Sequence, residues 1–388
     1  MYFIFKYSSM KKLWIILFAS ALLIVSGCSS KVSTSDGPTV VKIGAIVPLS
    51  WPISTLGEDQ ATIYQDAVDE FNALHSDYQI DLVMEDGKCN AKDAVSAYQK
   101  LTTVDWVSII LGWACSSETI AAGQIADAQD VVLVSAVSSS PDISVLKNVF
   151  RFWNDLDSSK TMVKYFNDNN INSIAIVYEN TDYAAAYANA LKDQFKGTVI
   201  SEQKYSSEEK DFGIIAKNIQ NNIENIDMLV TIPQSDTTFV SLMRSFASVG
   251  VDEALENKII GADAVYSESV VWQLGDSLEG VLSVQFPDLS KTNQSSANLL
   301  EKLNTEKNYT VQRPSFFPFT KEAVDVVLSA ILDGNTNAAG IKSYLGNITA
   351  KNKRSGYIGD YYFDENGDGQ WLEFVVNQVV DGKLVPLE

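Results

Sequence analysis

The stretch of this 388-residue chain best equipped for chemistry is Gly112-Trp113-Ala114-Cys115-Ser116-Ser117-Glu118-Thr119. The apolar run Val107-Ser108-Ile109-Ile110-Leu111 before it has the length and branching of a buried parallel strand. Ile120, Ala121, Ile125 and Ala126 follow at helical spacing. A strand that turns through Cys-Ser-Ser into a helix leaves hydroxyls and unbonded N–H groups at the positive end of that helix. Such an end suits an anion, and a carboxylate needs little else. The alternative is that Ser116 or Ser117 serves only as an N-cap, a position Ser favours.

The remaining inventory removes whole classes of function. The single histidine, His75, follows the helical stretch ending Phe71-Asn72-Ala73-Leu74 and reads as a solvated turn residue. One His and three Cys leave no His-rich zinc site, and no nucleophile motif lies near His75 to make a catalytic triad. No Gly-x-Gly-x-x-Gly follows a strand and no Walker motif is present, so nucleotide binding lacks its fingerprint. The formal charge is −20, and no basic cluster offsets it, which argues against nucleic acid as a partner.

The N-terminus reads as an address. Lys11-Lys12 precedes the apolar run Leu13–Ile24 and then Val25-Ser26-Gly27-Cys28. This order gives a secretory signal over 1–27, with small residues before Cys28 as in a bacterial lipobox, so Cys28 is expected to carry lipid. An ordinary signal peptide or a transmembrane anchor is the alternative, but the run is short for a full span. Met10 is a more usual start than Met1. Residues 28–39 would form the lipidated Cys and a polar tether. Loss of the leader removes three lysines, taking 29 basic residues to 26 against 49 acidic, a formal charge of −23. In an exported chain the two remaining cysteines, Cys89 and Cys115, suggest a disulfide worth roughly 3 kcal/mol. That bond would also pin the turn carrying Ser116.

The hydrophobic period switches repeatedly between strand and helix. Val40–Val47 reads as a strand, Pro48–Gly57 as a loop, and a helix follows with Tyr64, Ala67, Val68, Phe71 and Leu74 on one face. Strands are predicted at 80–84, 107–111 and 131–134, with a helix near 94–101. The pattern restarts after Phe150-Arg151-Phe152-Trp153. Strands at 174–178, 199–200, 228–232 and 258–260 alternate with helices at 159–167, 184–195 and 212–223 and through Phe239–Phe246. The fold class is therefore α/β, with two doubly wound parallel-sheet lobes and ligand loops at the carboxyl ends of the strands. Asp364-Glu365-Asn366-Gly367-Asp368-Gly369 fits the opening of a calcium loop, but Val375 stands where a bidentate Glu is needed. A hairpin turn is the better reading.

Taken in order, Lys42–Ser50 with Gly57-Glu58, Cys89 with Cys115-Ser116-Ser117, Ser135–Pro141, and Ile176–Tyr178 through Asn180–Tyr183 resemble one family. They are similar to the leucine/isoleucine/valine-binding proteins, type I periplasmic substrate-binding proteins of ABC importers. The resemblance runs from about residue 40 to the hairpin near 364–374. It implies two lobes joined by a three-crossover hinge, one over 40–150 plus 286–355 and the other over 151–285 plus 356–388. It also implies roles: Ser116 holds a ligand α-carboxylate, helped by Ser138 and Ser139; Tyr183 closes over the ligand; Asp263 takes the α-ammonium. The disulfide Cys89–Cys115 is likewise a family feature.

The chain departs from the family's pattern at three places. Leu56 stands where an aromatic is common, Gln234 stands near another such position, and Asp263 is the shorter acid. Trp51, Trp113, Phe152 and Trp153 either line a side-chain pocket or are packed core. The resemblance implies a lipid-anchored extracytoplasmic monomer with no cofactor and no catalysis. It would deliver an amino acid, branched-chain first, to ABC permease and ATPase subunits. A sensor module of the same fold, a binder of urea, amides or aromatic acids, and a hydrolase on a related scaffold are the rival readings.

Overall fold

In the computed structural model, which describes residues 37–50, 53–370 and 373–387, the apolar runs form two sheets. The first takes β1 (Thr39–Val47), β2 (Tyr78–Asp86), β3 (Ile109–Gly112), β4 (Val132–Ser135) and β5 (Val149–Arg151) in the order 2-1-3-4-5. The pairs β1–β3, β3–β4 and β4–β5 are parallel. Helices α1 (Ser54–Leu74), α2 (Ala91–Thr103) and α3 (Ser116–Ala126) connect them.

After α4 (Asp155–Asp168) the scheme repeats. β6 (Ser173–Glu179), β7 (Thr198–Tyr205), β8 (Met228–Ile232), β9 (Ile259–Gly261) and β10 (Leu282–Gln285) lie in the order 7-6-8-9-10. With α5 (Asp182–Gln194), α6 (Gly213–Asn221) and α7 (Asp236–Ser248), this is the same 2-1-3-4-5 winding. In both sheets the order reverses beside the first strand, which places ligand loops at the carboxyl ends there.

Apolar side chains cover both faces of each sheet, as parallel sheets require. The chain then returns to the first lobe. Phe286 and Leu289 enter its core, followed by α8 (Phe317–Leu332) and α9 (Ala338–Gly346), the first of which is buried along most of its length. The hairpin of β11 (Arg354–Gly356) and β12 (Gly359–Phe363), continued by β13 (Gly369–Gln370), also packs on the first lobe through Ile358, Tyr361 and Phe363. The expected boundary at 355/356 therefore cuts through a hairpin, and the chain joins the second sheet only at β14 (Val375–Val380) and β15 (Lys383–Pro386), both antiparallel. A buried acid explains the difference: Glu322 of α8 accepts from Arg354 Nε at 2.7 Å, Tyr357 N–H at 2.8 Å and Tyr361 O–H at 2.9 Å.

Helix α1 begins at Ser54, three residues before the expected end of the loop, so Leu56 and Gly57 lie in its first turn. Its N-cap residue, Ile53, makes no side-chain cap bond, which left the start without a signature. Gly57 permits the docking, since a Cβ there would stand 2.1 Å from the carbonyl oxygen of Pro48. The leader, Cys28 and Trp51 lie outside the described residues. No described helix is long and apolar enough to cross a membrane.

The hairpin clasp gives a stability prediction. Glu322→Ala leaves Arg354 and the Tyr357 amide without their acceptor and should cost about 3 kcal/mol in urea unfolding. A change below about 0.5 kcal/mol would show that the clasp does not hold the hairpin.

Candidate functional site

The site is built from the turn that follows β3. Gly112 has φ +113°, and a Cβ there would meet the carbonyl oxygen of Ile46 at 2.1 Å. Trp113 follows at φ +63°, a costly conformation for a bulky residue, and persists because its backbone is tied on both sides. Its N–H donates to the Ile46 carbonyl at 2.9 Å. Its own carbonyl accepts from Ser138 N–H at 3.1 Å, Ser138 Oγ at 2.7 Å and Ser135 Oγ at 3.2 Å.

Two expectations are corrected here. The Ser138 hydroxyl is spent on the Trp113 carbonyl while it accepts from Thr119 Oγ1 at 2.6 Å, so it is not offered to a ligand. The Trp113 indole is fully buried with Ile46, Tyr98 and Leu133, in a core cluster that contains no cavity-wall residue. Both residues shape the turn and neither lines the cavity.

Cys115 caps α3 and is bonded to Cys89. Glu118, in the first turn, accepts from Cys115 N–H at 3.1 Å and Cys89 N–H at 3.0 Å, tying the two half-cystines through their backbones. Burial pushes the Glu118 carboxyl up to about 8 against the pull of those amides. Ser116 is thus the first residue of the helix and not its cap. Its Oγ accepts from Ser140 N–H at 3.1 Å, which leaves its own proton free to donate, alongside the first-turn amides of α3.

Loops from both lobes line one cavity of about 60 Å³. Ile53, Leu56, Val137 and Phe316 make an apolar wall, backed by Trp153, which stacks on Phe316 at 5.9 Å between ring centres. Ala114, Ser116 and Ser139 of the first lobe face Tyr183, Gln234, Asp263 and Ala264 of the second. Tyr183 follows β6, Gln234 follows β8 and Asp263 follows β9, all at carboxyl ends of strands. The Tyr183 hydroxyl donates to Asp263 Oδ1 at 2.9 Å.

Of the predicted residues, Ser116, Ser139, Tyr183, Asp263, Leu56 and Gln234 meet at this cavity. Ser139 is there in a different capacity, since its hydroxyl donates to Asp155 Oδ2 at 2.8 Å. Phe152 and Trp153 belong to the aromatic core beneath the wall.

Sequence reasoning missed two charged residues, Arg313 on the cavity wall and Asp155 directly behind it on Ser139. Asp155 is the first residue of α4, and after Asn154, which caps that helix, it looks like an ordinary first-turn acid. It is 3% exposed, and burial, reinforced by the charge of Asp263, raises its carboxyl to about 8. Burial also raises Asp263, opposed by the Tyr183 hydrogen bond and by the charge of Arg313. Arg313 lies in an aperiodic stretch before α8, and no local pattern marked it. Its Nη2 reaches Asp236 Oδ1 of the second lobe at 2.5 Å. Gln234 crosses the cleft too, its Nε2 lying 3.0 Å and 3.1 Å from the two disulfide sulfurs.

Two doubly wound lobes, each offering its switch-point loops to one cavity, define a two-lobe binding protein of the type I periplasmic class. A family model described as periplasmic binding protein matches residues 40–367, and the chain belongs to that family. It is 25% identical over 346 residues to the Leu/Ile/Val-binding protein of Escherichia coli, covering 87% of this chain and 90% of that one. The Leu/Ile/Val/Thr-binding protein of Salmonella typhimurium is also 25% identical, over 347 residues.

Among solved structures, the branched-chain amino acid transporter substrate-binding protein of Streptococcus pneumoniae, in complex with isoleucine, superposes with a TM-score of 0.77 at 21% identity. That match covers 90% of this chain and all of the other. A solute-binding protein of an ABC transporter from Rhodopseudomonas palustris, in complex with 3,4-dihydroxybenzoic acid, gives 0.76 at 17% identity, covering 90% and 96%. At the level of the family this is an extracytoplasmic solute-binding protein and not an enzyme.

The buried acid sets a pH dependence. Between the ordinary Asp value near 4 and the raised value near 8, the folded chain holds a proton on Asp155 that the unfolded chain has lost. Its contribution to stability is therefore complete below pH 4 and is lost as pH rises through 8. Asp155→Asn should match the wild-type stability near pH 4 and exceed it by a growing margin up to about pH 8, without ligand. A constant difference across that range in urea unfolding would show that Asp155 is not desolvated.

Proposed function

We propose that the protein binds an α-amino acid with an aliphatic side chain in the inter-lobe cavity and delivers it to an ABC importer. The observation that carries this reading is the buried acid Asp263 on the wall of one cavity, with Asp155 held behind that wall by Ser139, across from the amino end of α3. Desolvation disfavours both carboxylates, the charge of Asp263 adds to the cost at Asp155, and a ligand ammonium beside Asp263 relieves both. The Ser116 hydroxyl and the first amides of α3 suit the α-carboxylate. Ile53, Leu56, Val137 and Phe316 offer the side chain an apolar surface and no charge.

The Leu/Ile/Val-binding protein of Escherichia coli and the Leu/Ile/Val/Thr-binding protein of Salmonella typhimurium, to which the chain is similar, support the same ligand class. The Rhodopseudomonas palustris neighbour raises aromatic acids as the alternative. Such a ligand brings a carboxylate for α3 but no cation for Asp155 and Asp263, and on that ground the amino acid is favoured. In this reading the Cys28 lipid and the 28–39 tether hold the protein at the membrane, and ABC permease and ATPase subunits receive the ligand.

A thermal-shift screen of the purified protein against the twenty amino acids, urea, short amides and benzoate-type acids tests the class. A ligand at a hundred times its Kd stabilises by about 2.7 kcal/mol. Leucine, isoleucine or valine should shift the transition and benzoates should not; the reverse pattern would remove the acids from their assigned role. By calorimetry, Asp263→Ala should abolish binding, and Ser116→Ala should weaken it by about 1–3 kcal/mol, the range for a bond to a charged group. An unchanged Kd for Ser116→Ala would reduce Ser116 to a helix-start residue.

A further inference from the structure

The acidic turn Asp364–Gly369 has no part in the ligand reading, yet one of its carboxylates is buried far from its own strand neighbours. Asp368 is 4% exposed and meets Arg151, 1% exposed at the end of β5: Nε lies 2.5 Å from Oδ1 and Nη2 lies 3.1 Å from Oδ2. Ser144 Oγ and Asn154 Nδ2 donate to the same Oδ2 at 2.6 Å and 3.0 Å. The backbone is joined as well, Arg151 N–H donating to the Gly367 carbonyl at 3.0 Å. Arg151 ends the last strand of the first sheet and Asp368 lies in the turn just before β13, the last element ahead of the second sheet's β14, so this pair fastens together the two places where the chain leaves the first lobe.

The contacts continue inward from Arg151. Its Nη1 donates to the carbonyl of Ser140, whose N–H donates to Ser116 Oγ at 3.1 Å. Asn154, held by Asp368, caps α4 by accepting from Leu156 N–H at 2.9 Å. The next residue is Asp155, whose N–H donates to the Ser139 carbonyl at 2.9 Å. Asp368 is therefore two residues removed from the hydroxyl assigned to the ligand carboxylate and one from the acid assigned to its ammonium.

We propose that Asp368 is a positioning residue for the ligand site, acting through Arg151 and Ser140 on Ser116 and through Asn154 on Asp155. The proposal rests on the ligand roles given above to Ser116 and Asp155. The acidic turn is then the third connection's hold on the site and not a metal loop, its Asp364 carboxylate being occupied by the N–H groups of Asn366 and Asp368. Arg151 needs an anion because it is sealed from water, and a neutral side chain at 368 would leave it free to pull Ser140 out of line.

The test is calorimetry with L-isoleucine on Asp368→Asn, Ser116→Ala and the double variant, with Asp66→Asn, a buried acid of α1 paired with Lys302 and Lys307, as a control outside this path. Asp368→Asn should weaken binding at least tenfold while Asp66→Asn stays within twofold of wild type. The loss caused by Ser116→Ala should shrink to under threefold in the Asp368→Asn background, because both changes break one path. A readout that needs no ligand accompanies it: hydrogen exchange at the Ser140 amide should be at least tenfold faster in Asp368→Asn and unchanged in the control. If Asp368→Asn does not fold, Ser144→Ala, which loosens Arg151 but keeps the ion pair, should give the same exchange signature at smaller amplitude. Fully multiplicative losses, or unchanged Ser140 exchange, would overturn the positioning role. If Ser116→Ala alone leaves affinity intact, the ligand assignment fails, and Ser140 exchange still decides the path from Asp368.

Discussion

The three hydrogen bonds that converge on the Trp113 carbonyl govern the first lobe's half of the site. Two successive residues at positive φ, one of them a tryptophan, are unstable alone, and the turn exists because Ser135 and Ser138 from the neighbouring strand's end satisfy it. In return the turn aims the amino end of α3, with Ser116 leading, into the space beyond the sheet. The disulfide and Glu118 then fix the helix start from the other side. Every residue of that turn with a polar side chain has a structural duty, and Ser116 alone keeps a proton to offer.

The second lobe answers with charge. Burial raises both Asp263 and Asp155, the charge of Asp263 adds to the rise at Asp155, and the groups that oppose it are Tyr183 and Arg313 for the first, Ser139 and Arg151 for the second. Arg313 is already engaged with Asp236, so its help to Asp263 acts at a distance. The cavity is consequently short of one positive charge. In a site dominated by desolvation, that shortage favours a cationic group over a neutral isostere far more than shape does, since leaving a buried charge unpaired costs more than losing a contact. An apolar wall sets the size and polarity of the remainder.

Much of this was legible from the sequence because it depends on local rules. The strand before Gly112, the helix after Ser117 and the repeat of the pattern beyond Trp153 follow from hydrophobic period alone. Ser116, Tyr183 and Asp263 came from the resemblance, and each sits at the end of a strand where a doubly wound sheet must place its ligand loops. What escaped is tertiary. The uses of Ser138 and Trp113 depend on which carbonyl lies opposite, Asp155 resembles any acid beside an N-cap, and Arg313 sits in a segment with no period to read. Three-residue β5 is too short to show a period, and the first-lobe allegiance of the 354–370 hairpin is decided by Glu322, an acid that a helical pattern would place in solvent.

The two lobes also touch directly, through Arg313–Asp236 and through Gln234 on the disulfide sulfurs. Contacts that exist in the closed form whatever the cavity holds lower the free energy of closure equally for every ligand. They raise apparent affinity and add no discrimination. Selectivity must then come from groups whose energy changes on occupation, and only the acids and the α3 end meet that condition. Ligand can shift the open–closed equilibrium only by its differential affinity for the closed form. A cation beside Asp263 of the β9 loop supplies such a difference, because shutting that buried carboxylate away from water unpaired is what closure alone would have to overcome.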